Sequence, residues 1–151
     1  YQGRKKCKTS NMLIITDSQG IPIVCSEPID GQHNDAYRLV DNFEKMIHSI
    51  IQSNIRVDGL FLNADAGFDT ADFRHCCSKH EIIDNIAFNK RNGKNDTSFF
   101  DNLLYEKRFV IERTNAWLDA FKAILIRFET NPIHWKALNL LAFSIILIRQ
   151  L

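Results

Sequence analysis

Tyr105, Arg108 and Glu112 stand at spacings of three and four within Tyr105-Glu-Lys-Arg-Phe-Val-Ile-Glu-Arg-Thr, and upstream lies Asn63-Ala-Asp65-Ala-Gly67-Phe68-Asp69. If residues 104–129 form one helix, its period of about 3.6 residues stacks Tyr105, Arg108 and Glu112 on one polar face. Asp65 follows the apolar run Gly59-Leu-Phe-Leu, which reads as a buried strand. The expected result is a cleft with two carboxylates from distant sequence. Such carboxylates can hold a cation, and a guanidinium beside them can grip phosphate with its planar fork.

The elements that must position these groups follow from pattern and punctuation. Ser10 to Thr16 is rich in β-formers, Asp17-Ser-Gln-Gly20 is a turn cluster, and Ile21 to Ser26 completes a hairpin over 10–26. Pro22 lacks a backbone donor and is expected near a strand start or on an unpaired edge. Asp35 is the expected N-cap of a helix over 35–53, with Leu39, Val40, Phe43, Met46, Ile47, Ile50 and Ile51 at helical spacing. A strand over 57–63, a helix over 70–79 capped by Asp69, and a strand over 81–88 come next. The polar run from Asn89 to Ser98 has the composition of an exposed loop. The long helix 104–129 is broken at Asn131-Pro132 before a last helix over 132–150. At about 100° per residue, Val110, Thr114, Trp117, Phe121, Ile124 and Phe128 form the core face of the long helix. Tyr105, Arg108, Glu112, Asn115, Asp119 and Lys122 lie nearly opposite. Helices and strands in this order describe an α/β arrangement, with helices packed on a mixed sheet.

A chain of 151 residues that is 45% hydrophobic carries enough apolar material for one core, and no composition break divides it. With 19 basic against 18 acidic residues the net charge is +1, so any DNA contact must rest on local patches. Cys7, Cys25, Cys76 and Cys77 have neither disulfide-framework nor paired zinc-knuckle spacing, and no signal peptide is evident, so a reducing cytoplasm is expected. The run Ala142-Phe-Ser-Ile-Ile-Leu-Ile is too short to cross roughly 30 Å of hydrocarbon and reads as the buried face of a terminal helix. No membrane partner is expected. The chain opens on Tyr1 and reads as the C-terminal part of a longer coding sequence.

The motif Tyr105-x2-Arg108-x3-Glu112-Arg113-Thr with Trp117-Leu118, and Asp65-Ala-Gly67-Phe68-Asp69 upstream, closely resembles the DDE transposases of bacterial insertion sequences. The opening Gly3-Arg-Lys-Lys-Cys-Lys to Asp17-x2-Gly20-Ile-Pro22 is similar to their second and third core strands. The resemblance implies a ribonuclease-H-like mixed sheet flanked by helices, the first core strand missing, in a partial catalytic domain over 1–151. It implies DNA cleavage and strand transfer at transposon ends. Two aspartates and a glutamate would hold Mg2+ ions, with Mn2+ as substitute. Asp65 would be the second aspartate and Glu112 the glutamate, both metal ligands. Tyr105 and Arg108 would orient the DNA backbone. Partners implied are transposon-end and target DNA, and a homodimer on that DNA.

Two departures from the family pattern stand out. The signature lysine seven residues after the glutamate is here Asp119, and the nearest lysine is Lys122, one turn along. The first catalytic aspartate belongs on a strand before Arg4-Lys-Lys, so the chain alone is expected not to transpose DNA. The basic segments Arg4, Lys5, Lys6 and Lys8, and Lys90, Arg91 and Lys94, are the best phosphate contacts on offer.

Blander readings compete. Arg108 and Glu112 could be an ordinary exposed helix pair, and Asp17 is expected as a turn residue rather than a ligand. Asp30, His33 and Asp35 read as loop polarity and capping. His75, Cys76, Cys77 and His80 are not expected to bind zinc, because adjacent cysteines point in different directions. Trp117 and Trp135 are expected as core anchors. The alternatives to a transposase are a non-catalytic remnant that keeps a DNA-binding surface, and a nuclease of the same fold.

Overall fold

The computed structural model describes residues 9–34, 36–89 and 100–151. In chain order the elements are β1 (Ser10–Asn11), β2 (Ile14–Thr16), β3 (Pro22–Cys25), β4 (Ile29–Asp30), α1 (Leu39–Gln52), β5 (Phe61–Ala64), α2 (Ala71–Lys79), β6 (Ile83–Ile86), α3 (Asn102–Glu106), α4 (Val110–Asp119), α5 (Lys122–Leu125) and α6 (Pro132–Gln150). Tight 3-10 turns at Ala66–Phe68 and Lys107–Phe109 follow β5 and α3. The chain divides into two compact units, one of Tyr1–Asn34 with Phe109–Leu151, the other of Asp35–Arg108.

In the first unit, β2 and β3 pair antiparallel in a hairpin shorter than the one expected over 10–26, because Ser10 and Asn11 form β1 and pair antiparallel with β4 instead. Pro22 opens β3, where its missing N–H costs least. Asp17 is the turn residue its Asp-x-x-Gly setting suggests: its Oδ1 accepts from Gln19 N and Ile21 N, both at 2.8 Å. The core gathers Cys25, Leu118, Ala142, Phe143 and Ile146, with Trp117, Phe121 and Ile124 packed against it. Asn131 caps α6 by accepting from Ile133 N, and Pro132 follows in the first turn, as the Asn-Pro pair predicts. Trp135 is buried beneath the Arg127 guanidinium. The apolar run in α6 buries Ala142, Phe143 and Ile146 but leaves Leu147 and Ile148 exposed.

In the second unit, β5 and β6 run parallel, with Asn63 opposite Asn85, and α1 and α2 pack together through the edge-to-face pair Phe43–Phe73. On α1, Leu39, Phe43, Met46, Ile47 and Ile50 are buried as their spacing requires, whereas Ile51 is exposed. Asn54 and Glu81, both at positive φ, end α1 and α2. After each, the next N–H reaches back to Ile50 O or Cys77 O, and their own N–H groups bond Ile51 O or Ser78 O.

Several boundaries differ from expectation. α1 begins at Leu39 behind Arg38, which is at φ 50 and makes no side-chain cap; Asp35 lies outside the described residues. The strand expected over 57–63 is β5, displaced toward Asp65, because Leu60 N bonds Val57 O in a turn instead of joining a ladder. The strand expected over 81–88 is confined to Ile83–Ile86, since Glu81 is committed to the end of α2. The single helix expected over 104–129 is three helices. Periodicity concealed the breaks: the chain tightens to 3-10 at Lys107–Phe109, and Phe121 turns extended at φ −88, ψ 96. Phe128, beyond the last of these breaks, is exposed rather than core. Among the described residues the strands form three two-stranded pairs in a mixed α/β chain.

Candidate functional site

Asp65 is the first residue after β5, in extended backbone, at the carboxyl end of a parallel strand. In open α/β sheets ligands bind outside the carboxyl ends of the strands. Its carboxylate is two-thirds exposed and accepts from Arg108 Nε at 2.6 Å. The same guanidinium lies 4.4 Å over the Tyr105 ring, which packs against Phe100. The structure therefore brings Asp65, Tyr105 and Arg108 together within one unit. An ion pair this exposed contributes at most about 1 kcal/mol, so other bonds must hold the arrangement.

Two asparagines do so. Asn85, almost fully buried, donates from Nδ2 to Asn63 Oδ1 at 2.8 Å and to Asp101 O at 3.0 Å, while its Oδ1 accepts from Asp101 N at 2.9 Å. Asn63 Nδ2 donates to Leu104 O at 3.0 Å. Asp101 in turn caps α3 by accepting from Leu104 N at 2.9 Å. Register makes this possible, since facing positions on adjacent strands bring two amides into bonding distance. Strand and helix start are thereby fixed to one another, and Tyr105 and Arg108 are carried to the side of Asp65. Sequence reasoning missed the pair. The legible signal was an amide in each of two apolar strand segments, where a buried polar side chain must find partners.

Asp69 has a different task from the one expected. The N-cap of α2 is Thr70, whose hydroxyl accepts from Phe73 N at 3.2 Å. Asp69 accepts from Arg74 Nε at 2.8 Å and from Asn89 N at 2.7 Å. Arg74 also bonds the Asp84 carboxylate and Ile86 O, and lies over the Phe88 ring. One largely buried guanidinium thus clamps the loop after Asp65 to β6.

Glu112 belongs to the other unit, in the first turn of α4, where a negative charge suits the helix dipole. Its helix is seated on the β2–β3 turn. Thr114, fully buried, donates its hydroxyl to Gly20 O at 2.5 Å, and Arg113 Nη1 donates to Gln19 O at 3.2 Å. Gly20 is at φ +88, and a Cβ there would lie 3.0 Å from Val110 Cγ1, so helix and turn approach as closely as they do because the residue is glycine. The Asp17-x2-Gly20 turn and the Glu-Arg-Thr segment are thus one packed feature.

Glu112 is exposed. The single continuous helix expected to carry Tyr105, Arg108 and Glu112 is interrupted by the 3-10 turn at Lys107–Phe109, with Tyr105 on α3, Arg108 in the turn and Glu112 on α4. Lys122 is exposed at the start of α5, past the extended Phe121, and so does not continue the Glu112 face as expected. Asp119 ends α4. Arg4, Lys5, Lys6, Lys8, Lys90, Arg91 and Lys94 lie outside the described residues. Among the described residues no helix is long and apolar enough to cross a membrane.

Compared with known proteins, residues 1–148 match a family model described as DDE superfamily endonuclease. No curated protein and no solved structure matches the chain.

Proposed function

From a chain that belongs to the DDE superfamily endonucleases, we propose the activity of an insertion-sequence transposase of the Tyr-Arg-Glu type: divalent-metal-dependent cleavage and strand transfer of DNA on a ribonuclease-H-like fold. The observation that carries it is Asp65 at the carboxyl end of β5 with Arg108 and Tyr105 gathered beside it. Asp65 and Glu112 are exposed carboxylates, the hard oxygen donors that Mg2+ or Mn2+ takes while keeping several waters. They suit a divalent metal in donor chemistry, and both would serve as its ligands. Divalent metal held by these carboxylates would supply activation of the attacking oxygen and stabilisation of the leaving one.

This chain's residues supply the rest. Arg108 keeps the Asp65 carboxylate paired, and its fork matches a DNA phosphate that enters beside it. Tyr105 holds the guanidinium plane in place through its ring. Lys122 and the basic segments Arg4–Lys8 and Lys90–Lys94 contribute phosphate contacts, and a homodimer assembles on the transposon ends.

The test is Mg2+- or Mn2+-dependent nicking of terminal-repeat DNA by the full-length protein. Asp65→Asn and Glu112→Gln should each lower the rate by about a thousandfold, the loss of several kcal/mol of transition-state stabilisation, with circular dichroism unchanged. Nicking retained by both variants refutes the assignment.

A further inference from the structure

We propose that Glu44, Cys76 and His80 form a zinc site that ties α1 to α2, distinct from the carboxylates assigned to DNA cleavage. Among the described residues, three potential ligand side chains converge at this place alone, with their ligand atoms all within 4.8 Å of one another. Cys76 lies in the last turn of α2 and His80 is the residue that caps its C-terminus, four positions on, and Glu44 meets them from α1. The Glu44 carboxylate lies 2.7 Å from His80 Nε2 and 3.6 Å from Cys76 Sγ. Ligands bonded to one tetrahedral zinc at about 2.0–2.3 Å sit roughly 3.5 Å from each other. Small side-chain adjustments therefore convert the cluster into three corners of a tetrahedron.

Thiolate, imidazole and carboxylate are zinc's ordinary donors, whereas Mg2+ wants oxygen. Cys76 is buried, while Glu44 and His80 are partly exposed, which leaves an entry path from solvent. Water completes the fourth corner, or His48, which is exposed and one turn along α1 from Glu44. Lys79 holds the cation position meanwhile, with Nζ 2.8 Å from Glu44 Oε1. Its side chain is mostly exposed and can swing to water at little cost. Burial, then the adjacent Glu44 carboxylate, pushes the Cys76 thiol up to about 11. Zinc replaces that proton, so each ion bound releases one H+ to solvent. Cys77 is fully buried and is not a member of the cluster.

Of the adjacent cysteines only Cys76 joins the cluster, and a site needs only one of them. The missing ligand came from another helix, 32 residues before Cys76, where no short spacing motif would reveal it.

Titration of the full chain with Co2+, read by absorption and competed with Zn2+, tests the site. The wild type should bind about one ion, with a thiolate-to-cobalt charge-transfer band and intense tetrahedral ligand-field bands. Cys76→Ser should abolish the charge-transfer band, and His80→Asn should weaken Zn2+ at least about tenfold. Cys77→Ala should keep the band. Lys79→Ala, a surface change that leaves the core intact, should tighten Zn2+ severalfold by removing the competing ammonium. Absence of the band in the folded wild type overturns the proposal, as does a band that survives Cys76→Ser or depends on Cys77. DNA nicking is no readout here, so failure of this site is separable from failure of the cleavage assignment.

Discussion

The two compact units each present one of the proposed catalytic carboxylates, and they hold it with a different balance of polar bonds and packing. In the unit of residues 35–108, Asp65 is located by buried polar bonds: the Asn63–Asn85 pair, the Asp101 cap and the Arg74 clamp. In the other unit, Glu112 is located mainly by close packing around the buried hydrogen bond from Thr114 to Gly20 O, with α4 seated on the Gly20 turn above an apolar core. Buried polar bonds specify direction but tolerate no missing partner. Close packing tolerates many polar changes but no added volume. The difference predicts which kind of substitution each unit will resist.

The largest stability effect is expected at Arg74→Met, which removes the guanidinium that Asp69 and Asp84 share and should cost about 3 to 5 kcal/mol in denaturant unfolding. Next, Asn85→Leu keeps the volume but leaves Asn63 and the Asp101 backbone without their partner. About 2 to 3 kcal/mol should be lost. In the other unit, Gly20→Ala should cost about 2 kcal/mol, from positive φ together with the contact on Val110. If Gly20→Ala proves costlier than Arg74→Met, the contrast between the units is wrong. The smallest effect is a gain: Glu81→Gly relieves a left-handed residue at the end of α2 and should raise stability by about 1 kcal/mol or slightly less. A loss there would mean that the Glu81 side chain does more than end a helix.

Much of the local structure was legible because its causes are local. Asp17 and Gly20 announced a turn, Asn131-Pro132 announced the start of α6, and the apolar spacing of α1 announced its buried face. The long helix was not legible in the same way. Its apolar period runs through Lys107–Phe109 and Phe121, and a pattern of residue types cannot register a backbone that tightens or extends for a few residues. Asp69 misled for a related reason: two adjacent residues, Asp69 and Thr70, could each cap α2, and Arg74 decided between them by taking Asp69.

By itself, then, the sequence determined the residue types that can do chemistry, Asp65, Tyr105, Arg108 and Glu112, the turn at Asp17–Gly20 and the capped start of α6. Those depend on neighbours within a few positions. Only the tertiary structure decided that Asn63 meets Asn85, that Thr114 meets Gly20, and that Glu44 meets Cys76 and His80. Each of those meetings depends on strand register or helix packing between distant segments, and the energy that selects them comes from burying whole faces. No spacing of letters along the chain records it.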